Sequence, residues 1–249
     1  MIFRQLVEPL SNTHTYLLGC EDTKQALLID PVLPAWERDL AVVREFGLRL
    51  AYTVETHVHA DHITSARRLK RETGCRIAVP ALDGLACADV AMEDGKPLAM
   101  GGVTLEPRHT PGHTAAHMAY VAGDRVFTGD ALLIDGCGRT DFQGGDARAL
   151  YKSVDERLFT LPDDHLVYPG HDYHDRRVST IAQERRRNPR LGGGRGEEEF
   201  LAIMRELALP YPRFIDHAVP GNAACGECPS QLPPQLREYC EDMQASPQG

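Results

Sequence analysis

The stretch "THVHADHIT" (56–64) restricts the fold more than any other part of the chain, because it sets His57, His59, Asp61 and His62 within six positions. It follows "LRLAYTVET", an apolar run of strand length, and leads into "ITSARRLKRETG", whose apolar spacing and closing glycine describe a helix. Side chains at i and i+2 of near-extended backbone point the same way, so His57 and His59 share a face. Asp61 and His62 turn back toward that face where the helix begins. Three imidazoles and a carboxylate in so short a stretch point to a metal site.

Further strand-length runs recur in "THTYLLGC", "QALLID", "CRIAVP", "HMAYVAG", "DRVFTGD" and "HLVYPGH", each bounded by Gly, Pro, Asp or Asn. Helical patterns lie between some of them. In "PAWERDLAVVREFG", Trp36, Leu40, Val43 and Phe46 fall on one face, with Pro34 near the start and Gly47 as C-cap. "DARALYKSVDERLFTL" (146–161) is another helix. After about residue 176, "RRVSTIAQERRRNPR" and "EEEFLAIMRELAL" read as helices joined by a surface loop, "LGGGRG", which lacks the trailing Lys-Ser/Thr of a phosphate cradle. The pattern predicts a layered α/β fold, two sheets inside and helices outside. Residues 1–226 are expected to form one domain, with 176–226 as its C-terminal helical and loop part. The chain after Pro220, and the Pro-rich tail 227–249 above all, is expected to be loosely ordered.

Three more candidates arrive at predicted strand ends, where α/β proteins gather functional loops. His113 lies in "HTPGHT", Asp130 closes "RVFTGD", and His171 closes "HLVYPGH". Their convergence with His57, His59, Asp61 and His62 makes a metal centre the expectation. A net charge of -9 argues against a nucleic-acid partner, and the basic run "ERRRNPR" reads as the solvated face of a helix. No apolar run reaches the about 20 residues that a membrane helix needs, and "MIFRQLVEPL" has neither a secretory nor a transit pattern. Seven widely spread cysteines read as reduced thiols in a cytoplasm, with Cys20, Cys75 and Cys87 as small apolar residues. Cys225-x-x-Cys228, with Cys240, is half a zinc site in the tail.

"THVHADH", "HTPGHT", "FTGD" and "YPGHDY", in this order, resemble the metallo-β-lactamase fold superfamily. That resemblance implies an αββα sandwich with the metal site at one sheet edge. "GDALLIDGCGRTDFQGG" (129–145), "NPRL" (188–191) and "IDHAVPGNAACG" (215–226) are similar to the persulfide dioxygenase family, over about residues 1–226. The resemblance implies one Fe(2+) per chain on His57, His113 and Asp130, a facial triad that leaves coordination positions open. It makes His59, Asp61, His62 and His171 neighbours of the metal without bonds to it, and assigns no catalytic residue beyond the metal site. The implied reaction takes glutathione persulfide, O2 and water to sulfite and glutathione. Arg139 and Tyr173 match glutathione-contacting positions of related thioesterases, and Arg213 is a further candidate for a substrate carboxylate. A homodimer is compatible with all of this.

The rival reading is a hydroxyacylglutathione hydrolase of the glyoxalase II type. It would place His57, His59 and His113 on one metal and Asp61, His62 and His171 on another, with Asp130 bridging. Ligand inventory does not separate the two; "GCGRTDFQ" and "AVPGN" favour the dioxygenase.

Overall fold

The strand β2 (Thr13–Cys20) shows how the layers arise: every one of its residues is buried. Tyr16, Leu18 and Cys20 point into one apolar cluster and Leu17 into another, so both faces of the strand are covered. The computed structural model describes residues 1–234 together with 237, 238 and 240. Its first sheet runs β1 (Ile2–Glu8), β2, β3 (Gln25–Ile29), β4 (Arg49–Val54), β5 (Arg76–Pro80) and β6 (Val90–Met92) in spatial order. Pairing is antiparallel from β1 to β3 and parallel from β3 to β6.

The second sheet holds β7 (Leu98–Met100), β8 (Val103–His109), β9 (Met118–Ala122), β10 (Arg125–Gly129), β11 (Leu166–Pro169) and β12 (Ser179–Thr180), also in sequential order. Only β10 and β11 pair in parallel. Between the sheets, Tyr16, Ile29 and Val54 pack with Tyr120, Phe127 and Tyr168. On the outer face of the first sheet, Leu40 and Val43 of α1 (Trp36–Glu45) and Leu69 of α2 (Ala66–Thr73) cover Leu17, Leu28 and Leu50. Outside the second, Leu150 of α3 (Ala147–Lys152), Ile181 of α4 (Ile181–Arg187) and Phe200 of α5 (Glu197–Glu206) cover Val121, Val126 and Val167. This is the expected αββα sandwich. Burying one such Leu or Phe contributes about 1.5–3 kcal/mol, so the three clusters hold the layers and leave the strand ends free to carry loops.

Several elements differ from the sequence reading. The strands β1, β6, β7 and β12 have no counterpart in the sequence reading, and β8 is foreshadowed only as a strand-like segment before the turn at Pro111 and Gly112. β6, β7 and β12 are too short to show a period, and β8 alternates buried and exposed residues around Pro107. The run "ERRRNPR" is not wholly a solvated face. Glu184 is fully buried, accepting from the Ser179 hydroxyl, the Asn188 amide and the Asp135 N–H. No helix among the described residues is long and apolar enough to cross a membrane.

The cysteine and tail expectations need the larger correction. Cys87 is bonded to Cys225 and Cys228 to Cys240, leaving Cys20, Cys75 and Cys137 as free thiols among the described residues. The Cys87–Cys225 pair spans 138 residues of sequence, so no spacing rule could announce it. With both members of Cys225-x-x-Cys228 in disulfides, that motif has no thiolates for zinc. The described residues after Pro220 are also tied into the fold. α6 (Ile215–Ala223) runs through that proline, Asn222 is buried, and Cys228, Leu232 and Cys240 pack against Leu33, Ile63 and Phe214. Residues 235, 236, 239 and 241–249 of the tail lie outside the described residues.

Candidate metal centre

The loop after β4 is suspended from a single buried carboxylate at the end of β3. Asp30, in left-handed backbone (φ 49°), accepts the Thr56 N–H at 2.7 Å and the Thr56 hydroxyl at 2.9 Å, and lies 3.1 Å from His59 Nε2. Because the Thr56 hydroxyl donates to Asp30, its oxygen accepts from His57 Nδ1, 2.9 Å away. His57 Nε2 is thereby left without a proton. His113 is set in the same manner, its Nδ1 donating to the Arg139 carbonyl at 2.7 Å. Such outer hydrogen bonds fix the tautomer a metal-binding imidazole needs. Ligand atoms of His57, His113 and Asp130 lie within 4.8 Å of one another.

Asp130 reaches this cluster because the turn after β10 admits close backbone contact. Gly129 has φ +48°, and a Cβ there would meet His117 Nε2 at 2.6 Å. His117 is fully buried. Its Nε2 accepts the Asp130 N–H at 3.1 Å while Nδ1 faces Thr110 Oγ1 at 2.9 Å. Burial, reinforced by neighbouring imidazoles, pushes the pKa values of His57 and His117 well down, so both are neutral.

The remaining candidates close around the same point. His59, Asp61 and His62 form a second cluster with ligand atoms within 4.8 Å of one another. His171 Nε2 lies 3.6 Å from Asp61 Oδ2 and 3.6 Å from Asp130 Oδ1, and His113 Nε2 lies 3.5 Å from Asp130 Oδ2. Burial disfavours charge on His59 and His171. Asp30 and Glu55 outweigh it for His59, and Asp130 and Asp61 for His171, so both pKa values rise. Asp130 Oδ1, His59 Nδ1 and His62 Nε2 are buried without hydrogen-bond partners among the described residues. Freed imidazole nitrogens around a carboxylate oxygen lacking a donor fit a divalent cation, which supplies the missing partner.

All seven metal-centre candidates read from the sequence therefore come together. Sequence reasoning missed those that position them: Asp30, Glu55, His117 and Asn222. Asn222 is the most telling, since its amide donates to the His59 carbonyl (2.9 Å) and the His62 carbonyl (2.7 Å) and accepts from the Thr64 N–H (2.9 Å). The one local hint is "AVPGN", read only for its resemblance.

A groove of about 760 Å³ opens beside the centre, and Arg139, Tyr173 and Arg213 line it with His113, Asp130 and His171. The Arg139 guanidinium is engaged by both Asp141 oxygens at 2.7 Å and by the Pro210 carbonyl at 2.7 Å, and lies over the Phe142 ring. Arg213 stacks on Phe214 and makes no ion pair among the described residues. Tyr173 is 65% exposed, with its ring parallel to that of His171.

An αββα sandwich with this histidine and aspartate cluster at one edge defines the class. The model of the metallo-β-lactamase superfamily matches residues 9–171, and the chain belongs to that superfamily. Human "Persulfide dioxygenase ETHE1, mitochondrial" is 51% identical over 229 residues, covering 91% of this chain and 89% of that protein. The crystal structure of ETHE1 from Myxococcus xanthus superposes with a TM-score of 0.88 at 52% identity, covering 91% of this chain and all of that one. Within the superfamily the chain is a member of the persulfide dioxygenase family. A hydroxyacylglutathione hydrolase of Polaromonas sp. is more distant, 36% identical over 176 residues, or 68% of this chain and 66% of that protein.

Proposed function

We propose that the chain is a persulfide dioxygenase that converts glutathione persulfide, O2 and water to sulfite and glutathione, using one Fe(2+) per chain on His57, His113 and Asp130. The observation that carries this reading is the pair of imidazoles whose Nε2 atoms are freed by hydrogen bonds at Nδ1, set beside a carboxylate at the head of a groove. Two neutral nitrogens and one anion form the facial triad suited to non-haem Fe(II). When bound, the iron would supply the redox chemistry that side chains alone lack.

The chain's own residues bind and orient. Thr56 and the Arg139 carbonyl hold the two imidazoles, and His117 holds the Asp130 backbone. Asp61 and His171 offer hydrogen bonds to water or to the sulfur end of the substrate. Arg213, without a carboxylate partner among the described residues, is available to a glutathione carboxylate. Arg139 acts on the same pocket by tying the Asp141 turn to Pro210, and Tyr173 gives the peptide part of the substrate a flat surface. The cytoplasmic setting read from seven reduced cysteines loses that support, because four of them pair in disulfides.

The two-metal hydrolase is a second reading because the two Asp130 oxygens face His113 and His171 separately, as a bridging ligand would. Metal analysis with O2-uptake assays separates the two. Asp130→Asn should lose iron and persulfide-dependent O2 uptake together. His171→Ala should keep close to one iron per chain, with activity about 10- to 100-fold lower. A fall from two metals to one in His171→Ala would overturn the mononuclear reading.

A further inference from the structure

A second cavity, of about 530 Å³, shares no lining residue with the groove at the metal centre. Three cations of α2, Arg67, Lys70 and Arg71, stand on its wall, and the Cys87–Cys225 disulfide lies among them. Lys70 pairs with Asp89 at 2.6 Å and Arg67 with Glu227 at 3.2 Å. The two sulfurs are unequal: Cys225 is 2% exposed, whereas Cys87 is half-buried. Of this pair, Cys87 is the sulfur a nucleophile in the cavity can reach; half-buried Cys228, of the second disulfide, also lines the cavity.

The bond also closes the segment that braces the metal loop. Cys225 follows Asn222 by three residues, and its N–H donates to the Asn222 carbonyl at 2.9 Å. The Cys225 carbonyl accepts the Arg67 N–H at 3.1 Å, and at Gly226 a Cβ would come within 2.3 Å of the Thr64 carbonyl oxygen. Thr64 is the residue whose N–H Asn222 holds. A change at this disulfide thus acts on the backbone from His59 to Thr64, whatever reaction the metal centre runs.

We propose that Cys87 is a modification site for a small anionic thiol of the glutathione class, which docks in the cationic cavity and exchanges with the Cys87–Cys225 bond. The incoming thiolate forms a sulfur–sulfur bond to Cys87 Sγ. The electron pair of the old bond leaves on Cys225 Sγ, which takes up the proton the incoming thiol gave up. One disulfide replaces another, and no oxidant or reductant is consumed. Positive charge from α2 favours both the approaching thiolate and the departing one; Arg67 donates to the Ala224 carbonyl next to Cys225. Exchange unties α6 from Cys87 and loosens the Asn222 brace.

The test treats the full chain with reduced glutathione, quenches with an alkylating agent and maps the cysteines under non-reducing conditions. The expected species carries glutathione on Cys87 and the alkyl group on Cys225. Lys70→Glu with Arg71→Glu should slow the reaction with glutathione on the order of 10-fold, and should not slow it with cysteamine, a cationic thiol. Amide hydrogen exchange at Thr64 should quicken in the modified chain and in Cys87→Ser. Absence of a Cys87 adduct, equal slowing with both thiols, or unchanged Thr64 exchange would each overturn the proposal.

Discussion

Asn222→Ala should damage the metal loop from a distance. The wild-type amide makes three hydrogen bonds to loop backbone: it donates to the carbonyls of His59 and His62 and accepts from the Thr64 N–H. The side chain is 4% exposed, so water does not reach the groups that truncation would abandon. Each buried polar group left unpaired costs about 1–3 kcal/mol. Partial relaxation of the loop should hold the total to roughly 3–5 kcal/mol. Asn222→Asp is the sharper variant. It keeps the shape and the acceptor toward Thr64 but turns a carboxylate oxygen toward two carbonyls, so it should be at least as harmful as alanine. Thermal unfolding of the metal-free chain reads the stability loss. Titration with Fe(II) reads the second consequence, weaker binding through a displaced His57–His62 segment. If Asn222→Asp unfolds within a degree of wild type and binds iron equally well, Asn222 merely fills space and the brace is refuted.

Arg213→Ala should raise KM for glutathione persulfide about 10-fold with little change in kcat, the signature of a contact made equally in ground and transition states. Arg139→Ala should raise KM too, but with a lower melting temperature, because it also unties Asp141 from Pro210; steady-state kinetics beside melting curves separate the two. Asp39 gives a pH prediction. Burial lifts its carboxyl to about 6, against the pull of the Arg38 guanidinium. The folded chain thus holds this proton more tightly than the unfolded one. The stability it contributes is full below about pH 4 and is lost as pH rises through 6. Asp39→Asn should therefore be more stable to unfolding than wild type at pH 8, by at most about 3 kcal/mol, with the gain vanishing near pH 4. An equal difference at both pH values would show that burial of this charge is not the cause.

Legibility in the sequence followed the range of the interactions. His57, His59, Asp61 and His62 stand together, and strand-length runs announced the turns bearing His113, Asp130 and His171. The layers were legible because strands such as β2 and helices such as α1 carry their own periodicity. Asp30 looks like any acid ending a strand, and its role exists only once β3 and β4 pair in parallel. Asn222 lies 163 residues from His59 and its signal was hidden in a Pro- and Gly-rich stretch that resembled a loose tail. The Cys87–Cys225 bond was equally silent: a turn with Cys225 in left-handed backbone brings it to Cys87. Arg139 carried a recognisable motif position, yet its guanidinium is occupied within the protein, which no motif states.

On the proposed reading, this centre oxidises a persulfide with O2 and does not hydrolyse a thioester. One purified sample loaded with Fe(II), divided between an oxygen electrode with glutathione persulfide and a hydrolysis assay with S-lactoylglutathione, tests it directly. O2 uptake should be matched mole for mole by sulfite, with thioester hydrolysis no faster than the buffer blank. Rapid hydrolysis of S-lactoylglutathione without persulfide-dependent O2 uptake would contradict it.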